Sequence, residues 1–419
     1  MMIKYILING GTLVDGTGNS PVQDASILIK DSKIKRVGSL GEIKAPADSK
    51  VIDATDKTIL PGLIEMHAHP ISIYDSSKSM EKYFAPTTLK ILYGAKNLGE
   101  MLEKGYTTVR IMHGNLYEKD SRGGALVSLR NAIENKIIQG PRIFVPGLLK
   151  QTAGHVDLYV PNTWPRGPYT LADGLNEVRK RTRQCIREGV DWIKILGTTG
   201  GGSGSWLNHP KHRNYTLKEL EIIVHEAHAF GVYVATHSHG GIGLLNAIMA
   251  GADTIEHGMF LHEEKDGIKR MKENGQFLIP TLTTLLHPDG YLGRGKRGEI
   301  PKDTYEKTIW MADNGIESFK AAYKSGVMIA AGTDFRHTDS AYELMLYVKY
   351  GMTPMEAIMT ATKNAAKALG HLNYFGTIEP EKLADVIIVN GNPLNNIEVL
   401  QEKEKVEFVI KEGEIVIER

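Results

Sequence analysis

Short apolar runs separated by turn residues occur at both ends of the chain. Those near the N terminus span residues 5–8, 25–30, 33–38 and 51–54, and those near the C terminus span residues 385–389, 406–411 and 414–417. Their lengths predict β-strands, and Asp31-Ser32 predicts a hairpin between the second and third. Neither end holds enough strands for a stable sheet of its own. We therefore expect residues 1–60 and 374–419 to form one small β-sandwich together.

The centre of the chain, residues 61–373, alternates apolar runs with helical patterns. Eight runs are predicted as strands: Leu63–His69, Thr108–Met112, Arg142–Pro146, Trp192–Leu196, Tyr233–His237, Thr254–His257, Phe277–Thr281 and Met328–Thr333. Capping boxes mark two helix starts, one at Thr216 and Glu219 and one at Thr353 and Glu356. Strands that alternate with helices favour a parallel sheet, and eight such units predict an α/β fold of the (β/α)8 TIM-barrel type.

Composition narrows the chemistry. The 50 Lys and Arg against 49 Asp and Glu give a net charge of +1, which supplies no electrostatic reason to expect nucleic acid or an anionic membrane as a partner. No run resembles a targeting signal or a membrane span, so we expect a cytoplasmic protein. The single cysteine, Cys185, excludes an intrachain disulfide and a Cys-rich zinc site. Any transition-metal site must therefore use the 15 histidines and the carboxylates.

Metal-ligand side chains stand at the ends of predicted strands. His67 and His69 end the first strand and share a face, because side chains two apart point the same way. His237, His257 and Asp334 end the fifth, sixth and eighth strands. His-x-His alone is weak, since solvated or hydrogen-bonded histidines explain it equally well. Five such residues at the barrel face where active sites form favour a metal site over unrelated strand ends.

Lys194 lies in the fourth predicted strand between Ile193 and Ile195. If the lysine faces inward, both isoleucines face the helices. Burial lowers the pKa of a lysine, and the neutral amine can then add CO2 to give a carbamate that bridges two cations. The alternative is a lysine that reaches the barrel mouth or pairs with an acid.

The ordered set of motifs resembles the amidohydrolase superfamily. The matching segments are Gly62–His69, Lys194, His237, Glu256–Gly258, Gly332–Asp334 and the C-terminal Gly376–Asp385. The resemblance implies that His67, His69 and Asp334 bind the more buried metal, that His237 and His257 bind a second, and that carboxylated Lys194 bridges them. Glu65 replaces the usual Asp of the first motif, and we expect it to support a ligand imidazole.

Within the superfamily, the chain is most similar to the imidazolonepropionase-like branch that holds prolidase-like and Xaa-Arg/Lys dipeptidases, with ochratoxin amidase nearby. The shared stretches are Gly105–Arg110, Gly140–Arg142, Gly200–Ser203, His237–Gly240 and Ile255–Gly258. Departures occur at Ile111-Met112, at Gln151–His155 and at His239, where some members carry Tyr. These departures leave the substrate open.

The resemblance implies a binuclear-metal hydrolase that cleaves the C–N amide bond of a dipeptide or N-acyl amino acid with a free carboxylate. Two divalent ions, Zn or alternatively Mn or Co, would share a bridging hydroxide as nucleophile. Asp334 would act as general base and acid, and His155 or His239 would bind the substrate. Arg213 or Lys211, in the Gly-rich loop 200–213, would bind a carboxylate or simply be solvated. The family also implies a homo-oligomer.

Two alternatives remain. A one-metal deaminase or imidazolone-type cyclic amidohydrolase would use the same histidines, but such sites need an acid just after the fifth-strand histidine. Here Ser238-His239-Gly240-Gly241 supplies none, and Lys194 would have no role. A non-catalytic scaffold subunit is the second alternative, and it predicts missing ligands, whereas every ligand type is present.

Overall fold

The computed structural model describes residues 4–72, 85–112, 124–155, 157, 171–200 and 206–419. The strands before the central region are β1 (Tyr5–Asn9), β2 (Thr12–Leu13), β3 (Ala25–Lys30), β4 (Lys33–Ser39), β5 (Lys50–Asp53) and β6 (Thr58–Pro61). β3 and β4 pair antiparallel, which confirms the predicted hairpin. Four of these strands form a sheet in the order β4-β3-β1-β5.

Parallel strands follow through the central region. They are β7 (Leu63–Ala68), β8 (Tyr106–Ile111), β9 (Arg142–Phe144), β10 (Pro146–Leu149), β11 (Trp192–Leu196), β12 (Tyr233–Ser238), β13 (Thr254–His257), β14 (Phe277–Ile279) and β15 (Met328–Ile329). The predicted third strand runs further than expected, to Leu149, with a break at Val145. The seventh and eighth strands are shorter than predicted, because the chain leaves the ladder at Ile279 and Ile329.

Within each of two sheets, the parallel strands pair in chain order. One sheet has the order β7-β8-β9, and the other has the order β10-β11-β12-β13-β14-β15. Backbone hydrogen bonds of 2.9 Å from the N–H of Met66 to the carbonyl of Ala331, and from the N–H of Asp334 to the carbonyl of His67, link the last segment to the first strand. The predicted α/β fold with parallel strands is confirmed, and the carboxyl ends of the strands face one side.

Helices connect the strands. They are α1 (Thr87–Glu103), α2 (Gly124–Glu134), α3 (Gly174–Arg187), α4 (Leu217–His228), α5 (Gly241–Ala250), α6 (Lys265–Asn274), α7 (Thr283–Leu286), α8 (Tyr291–Lys296), α9 (Lys302–Ser325), α10 (Tyr342–Lys349), α11 (Pro354–Thr360) and α12 (Lys363–Ala368). The predicted capping boxes are present at Thr216 before α4 and at Thr353 before α11. Of the helices in the described ranges, none combines the length and apolar character that crossing a bilayer requires.

The C-terminal strands return to the N-terminal ones. β16 (Val386–Val389), β17 (Val406–Lys411) and β18 (Glu414–Glu418) join β6 and β2 in a sheet with the order β18-β17-β16-β6-β2. β16 pairs antiparallel with β6, so the predicted pairing between the two chain ends is confirmed for this sheet. One buried apolar cluster contains side chains of both terminal sheets, among them Ile27, Ile59 and Ile388.

Candidate metal centre

Predicted ligands meet at the carboxyl ends of the parallel strands. Asp334 Oδ1 lies 2.7 Å from His69 Nε2 and 3.8 Å from His67 Nε2. One ligand atom each from His67, His257 and Asp334 lies within 4.8 Å of the others. Nitrogen and carboxylate donors at this separation fit a divalent cation such as zinc.

Three further histidines form the adjacent part of the centre. The ring of His237, from β12, lies 4.5 Å between centroids from that of His257. His155 stacks on His237 at 4.4 Å, and His239 meets it edge-on at 4.5 Å. A Cβ on Gly200 would lie 2.2 Å from Cε1 of His155, so this close approach requires glycine. Both histidines predicted to bind substrate therefore surround a predicted metal ligand.

Lys194 points inward from β11, as predicted, and is 3% exposed. Its Nζ has no hydrogen-bond partner among the described residues, and the same is true of Nε2 of His237. Burial lowers the pKa of Lys194 to about 8, although Glu256 and Asp334 act in the opposite direction. Buried polar atoms without partners cost free energy, and these donor types are the ones that a bridged metal pair would engage. The side chains therefore fit such a pair.

Burial keeps five histidines of the centre neutral. It lowers the pKa of His67 and of His155 to about 4, and that of His239 to about 3. Burial also lowers the pKa of His237 and of His257 well below the ordinary value. Metals bind neutral imidazole, so at neutral pH these rings are already in the form that ligation requires.

The carboxylates of the centre stay ionised in spite of their burial. Burial raises the pKa of Asp334, but the nearby His67 and His69 outweigh it and hold the pKa below its ordinary value. Burial also raises the pKa of Glu256, and Arg110 and His67 outweigh it and lower the pKa to about 2. Both groups are therefore anionic at neutral pH. Asp334 is itself a predicted ligand, and Glu256 lies behind the ligand His67.

Two residues behind the ligands were missed by sequence reasoning. Glu256 Oε2 lies 2.6 Å from His67 Nδ1, and Arg110 Nη2 donates to Glu256 Oε1 at 2.8 Å. An alternating strand would put Glu256 and His257 on opposite faces. His257 has a φ of +73°, in the left-handed region, and both its ring and the carboxylate of Glu256 lie against the ring of His67. The two residues stood in the motif, but the sequence carried no signal for this φ.

Glu65 does not have the predicted role. Its Oε1 accepts hydrogen bonds from the backbone N–H of His67 at 2.8 Å and of Thr333 at 2.9 Å. Glu65 therefore joins the first and last parallel segments through the backbone, and the carboxylate that holds the His67 ring is Glu256. Thr281, after β14, supports a second ring, since its Oγ1 lies 2.7 Å from His257 Nδ1.

The Gly-rich loop gives a mixed outcome. Lys211 Nζ lies 2.6 Å from Glu263 Oε2 and 4.4 Å from the ring centroid of Phe260, so its charge is already paired. Arg213 is exposed, and residues 201–205 lie outside the described residues. Lys307, from α9, was not foreseen. Its ammonium donates to the carbonyl of Gly200 at 3.3 Å and so joins this loop to the helix.

Comparison with known proteins agrees with this geometry. The model of the amidohydrolase family matches residues 58–416. An ochratoxinase from Aspergillus niger is 32% identical over 441 aligned positions, covering 98% of this chain and 86% of the ochratoxinase. A crystal structure of a Xaa-Pro dipeptidase with methionine bound in its active site is 32% identical with a TM-score of 0.88, covering 99% of this chain and 100% of that one. A prolidase complexed with N-methylphosphonate-L-proline is 27% identical with a TM-score of 0.87, covering 99% and 100%.

These likenesses extend over nearly the whole chain rather than one motif. They confirm the predicted resemblance to the prolidase-like branch and the prediction of a hydrolase that acts on carbon–nitrogen amide bonds. The chain belongs to the amidohydrolase family.

Proposed function

We propose that this protein is a binuclear-metal amidohydrolase that cleaves the amide bond of a dipeptide or N-acyl amino acid with a free carboxylate. The observation that carries the proposal is the buried Lys194, whose Nζ has no hydrogen-bond partner among the described residues and stands beside the histidine and aspartate cluster. His67, His69 and Asp334 would hold one cation, His237 and His257 the other, and Lys194 would join them.

Lys194 is suited to carboxylation. With burial holding its pKa near 8, a useful fraction of the amine is neutral at neutral pH. The lone pair of Nζ attacks the carbon of CO2, a new N–C bond forms, and one proton leaves to solvent. The product would be a carbamate, whose oxygens would be available as ligands for the cations. This change turns a buried amine into an anionic ligand.

The residues of the centre divide the remaining work. When bound, the cations would lower the pKa of water to supply a hydroxide and would polarise the scissile carbonyl. Asp334, held ionised by His67 and His69, accepts the proton of the attacking water and delivers it to the leaving amine. His155 and His239 border His237, where they can donate to the substrate carbonyl or carboxylate. Zinc suits this N and O donor set, as do manganese and cobalt.

The relatives support the choice of substrate class. An ochratoxinase, a Xaa-Pro dipeptidase and a prolidase are all similar to this chain over almost its full length. The one-metal alternative, a deaminase or imidazolone-type enzyme, gives no role to Lys194.

The test is a hydrolysis screen with two compound libraries, dipeptides and N-acyl amino acids. Protein is stripped of metal and refilled with Zn, Mn or Co in the presence of bicarbonate, and metal content is measured in each preparation. We expect two ions per chain and turnover of compounds with a free carboxylate. A single bound ion with ring deamination or ring opening would favour the alternative, and full turnover without metal would overturn the proposal.

Other parts of the sequence prediction are kept here as proposals. The parallel strands would close into a (β/α)8 barrel at residues 61–373, and the terminal sheets would form a β-sandwich from residues 1–60 and 374–419. The protein would act in the cytoplasm as a homo-oligomer. The two hydrogen bonds that link the last parallel segment to the first strand support the closed barrel.

A further inference from the structure

Arg110, from β8, is a fully buried cation behind the metal centre. Its side chain is 0% exposed, and its guanidinium carbon lies 4.5 Å from the ring centroid of Trp192. Nε donates to the carbonyl of Met66 at 2.7 Å, Nη1 donates to Oγ1 of Thr254 at 2.9 Å, and Nη2 donates to Glu256 at 2.8 Å. The planar fork is thus fixed on all sides, which a lysine could not reproduce.

Glu256 transmits this arrangement to a predicted ligand. Its Oε1 accepts from Arg110 Nη2 at 2.8 Å and from Thr254 Oγ1 at 2.5 Å. Its Oε2 lies 2.6 Å from Nδ1 of His67. Since a carboxylate oxygen accepts, Nδ1 carries the proton and Nε2 keeps its lone pair on the side of Asp334. Both oxygens of Glu256 therefore have hydrogen-bond partners. Oε1 accepts from Arg110 and Thr254, and Oε2 accepts from the ring of His67.

We propose that Arg110 is a positioning residue, which acts through Glu256 to fix the tautomer and direction of His67 and so raises the metal affinity of that site. The proposal rests on the proposed function, because it assumes that His67 is a ligand. Arg110 itself touches neither metal nor substrate. Loss of such outer support typically lowers metal affinity 10–100-fold.

The chain offers a matched control. Arg142, from β9, is also largely buried, donates to Asp385 Oδ2 at 2.8 Å, and lies 4.5 Å from the ring centroid of Phe375. It therefore repeats the chemistry of an arginine with a carboxylate and an aromatic ring. It stands near the C-terminal strands, where Glu412 is its second carboxylate at 2.6 Å. Substitution at Arg142 measures the effect of breaking a buried pair whose carboxylates do not contact a predicted ligand.

The experiment compares Arg110→Met with Arg142→Met in the full chain. Zinc affinity is measured by competition with a chelator of known affinity, ions per chain are counted, and thermal unfolding is followed in parallel. We expect Arg110→Met to lower the affinity for the more tightly held ion about 10–100-fold. Arg142→Met is expected to lower the unfolding temperature and to leave zinc affinity within about twofold of wild type, since its hydrogen-bond partners Thr108, Asp385 and Glu412 are not predicted ligands.

A second pair of variants tests the positioning role if Arg110→Met fails to fold. Thr254→Val removes the hydroxyl between Arg110 and Glu256 with little change of volume, whereas Thr254→Ser keeps it. We expect weaker zinc binding in the first and near wild-type binding in the second.

Unchanged affinity in Arg110→Met, or equal affinities in the two Thr254 variants, would overturn the positioning role and leave the proposed function intact. Wild-type protein that binds no zinc at all would instead contradict the proposed function.

Discussion

The two sides of the metal centre differ in how their side chains are held. On the supported side, which we define as His67, His69, His257 and Asp334, the rings and the carboxylate contact Glu256, Thr281 or one another. On the unpartnered side, defined as Lys194, His237 and His239, buried side-chain nitrogens have no hydrogen-bond partner within the described ranges. The supported side is preorganised by protein contacts alone, whereas the unpartnered side depends on what it binds.

Loss of the bridge should have the largest effect. Lys194→Ala is expected to reduce hydrolysis to background and to reduce bound metal from two ions per chain to about one, because it removes the group proposed to join the cations. Metal analysis and steady-state kinetics check this. Formate or acetate should restore part of the activity by supplying a carboxylate in the vacated volume.

Lys150 provides the control for that experiment. It is also a buried lysine at a strand end, with burial lowering its pKa to about 8, and the carboxylate of Asp157 acts to raise it. Lys150→Ala should keep its metal content. If Lys194→Ala holds two ions and turns over at the wild-type rate, the two sides do not differ as we describe.

Asp334 belongs to the supported side, yet it is expected to carry the proton transfer. Asp334→Asn keeps the shape and removes the charge, so kcat should fall by about 10²–10⁴-fold. The change is measured at saturating substrate with metal content recorded for each sample. A fall of less than about tenfold with full metal content would assign the proton transfer to another group.

His239 tests whether the unpartnered side receives the substrate. His239→Leu should raise KM about 10–100-fold for a substrate with a free carboxylate, because leucine has no donor and a hydrogen bond to a charged group is lost. The matching substrate with a C-terminal amide serves as the comparison, and its KM should change little. Equal changes for both substrates would show that His239 does not bind the carboxylate.

Support of His257 should have a graded effect. Thr281→Val removes the hydroxyl beside Nδ1 and is expected to weaken zinc binding about tenfold while activity persists at saturating metal. Thr182→Val is the control, since the buried hydroxyl of Thr182 donates to the carbonyl of Val178 at 2.8 Å. This hydrogen bond lies within α3 and involves no residue of the centre. The same zinc affinity in both variants would mean that His257 is held by other contacts.

The smallest effect concerns pH. With the pKa of Lys194 near 8, the neutral fraction should rise about fivefold from pH 7 to pH 8 and less than twofold from pH 8 to pH 9. Carboxylation of stripped protein at constant dissolved CO2 should follow this curve, with metal uptake or reactivation as the measure. A rate that rises about tenfold from pH 8 to pH 9 would indicate an ordinary lysine, with a pKa near 10.4.

Much of this centre was predictable because parallel strands deliver their carboxyl ends to one face. His67 and His237 followed from strand position, whereas Lys194 also needed the resemblance to the family, and the structure brings His155 and His239 against His237. The roles of these residues as ligands stay predictions.

Contacts across the sheet were not predictable, because they depend on backbone angles rather than residue order. Alternation would place only one of Glu256 and His257 beside His67, and the left-handed φ of His257 accompanies the presence of both on the same side. Glu65 was expected to orient a ring because alternation does place it on the same side as His67. It shares a face with His67, but it lies deep enough to reach the backbone of Thr333 instead. The long third strand was missed as well, because Gly147 interrupted the apolar pattern that extends to Leu149.

The left-handed backbone at His257 and Asp334 limits how this end of the parallel strands can evolve. Their φ values of +73° and +50° lie where a Cβ causes a steric conflict of order 1 kcal/mol or more, which glycine avoids. Replacing either residue with glycine would relieve this conflict. The same replacement would remove a donor atom from the centre. A substitution that raises stability at His257 or Asp334 would therefore lower activity. These two positions are poor targets for stabilising the protein.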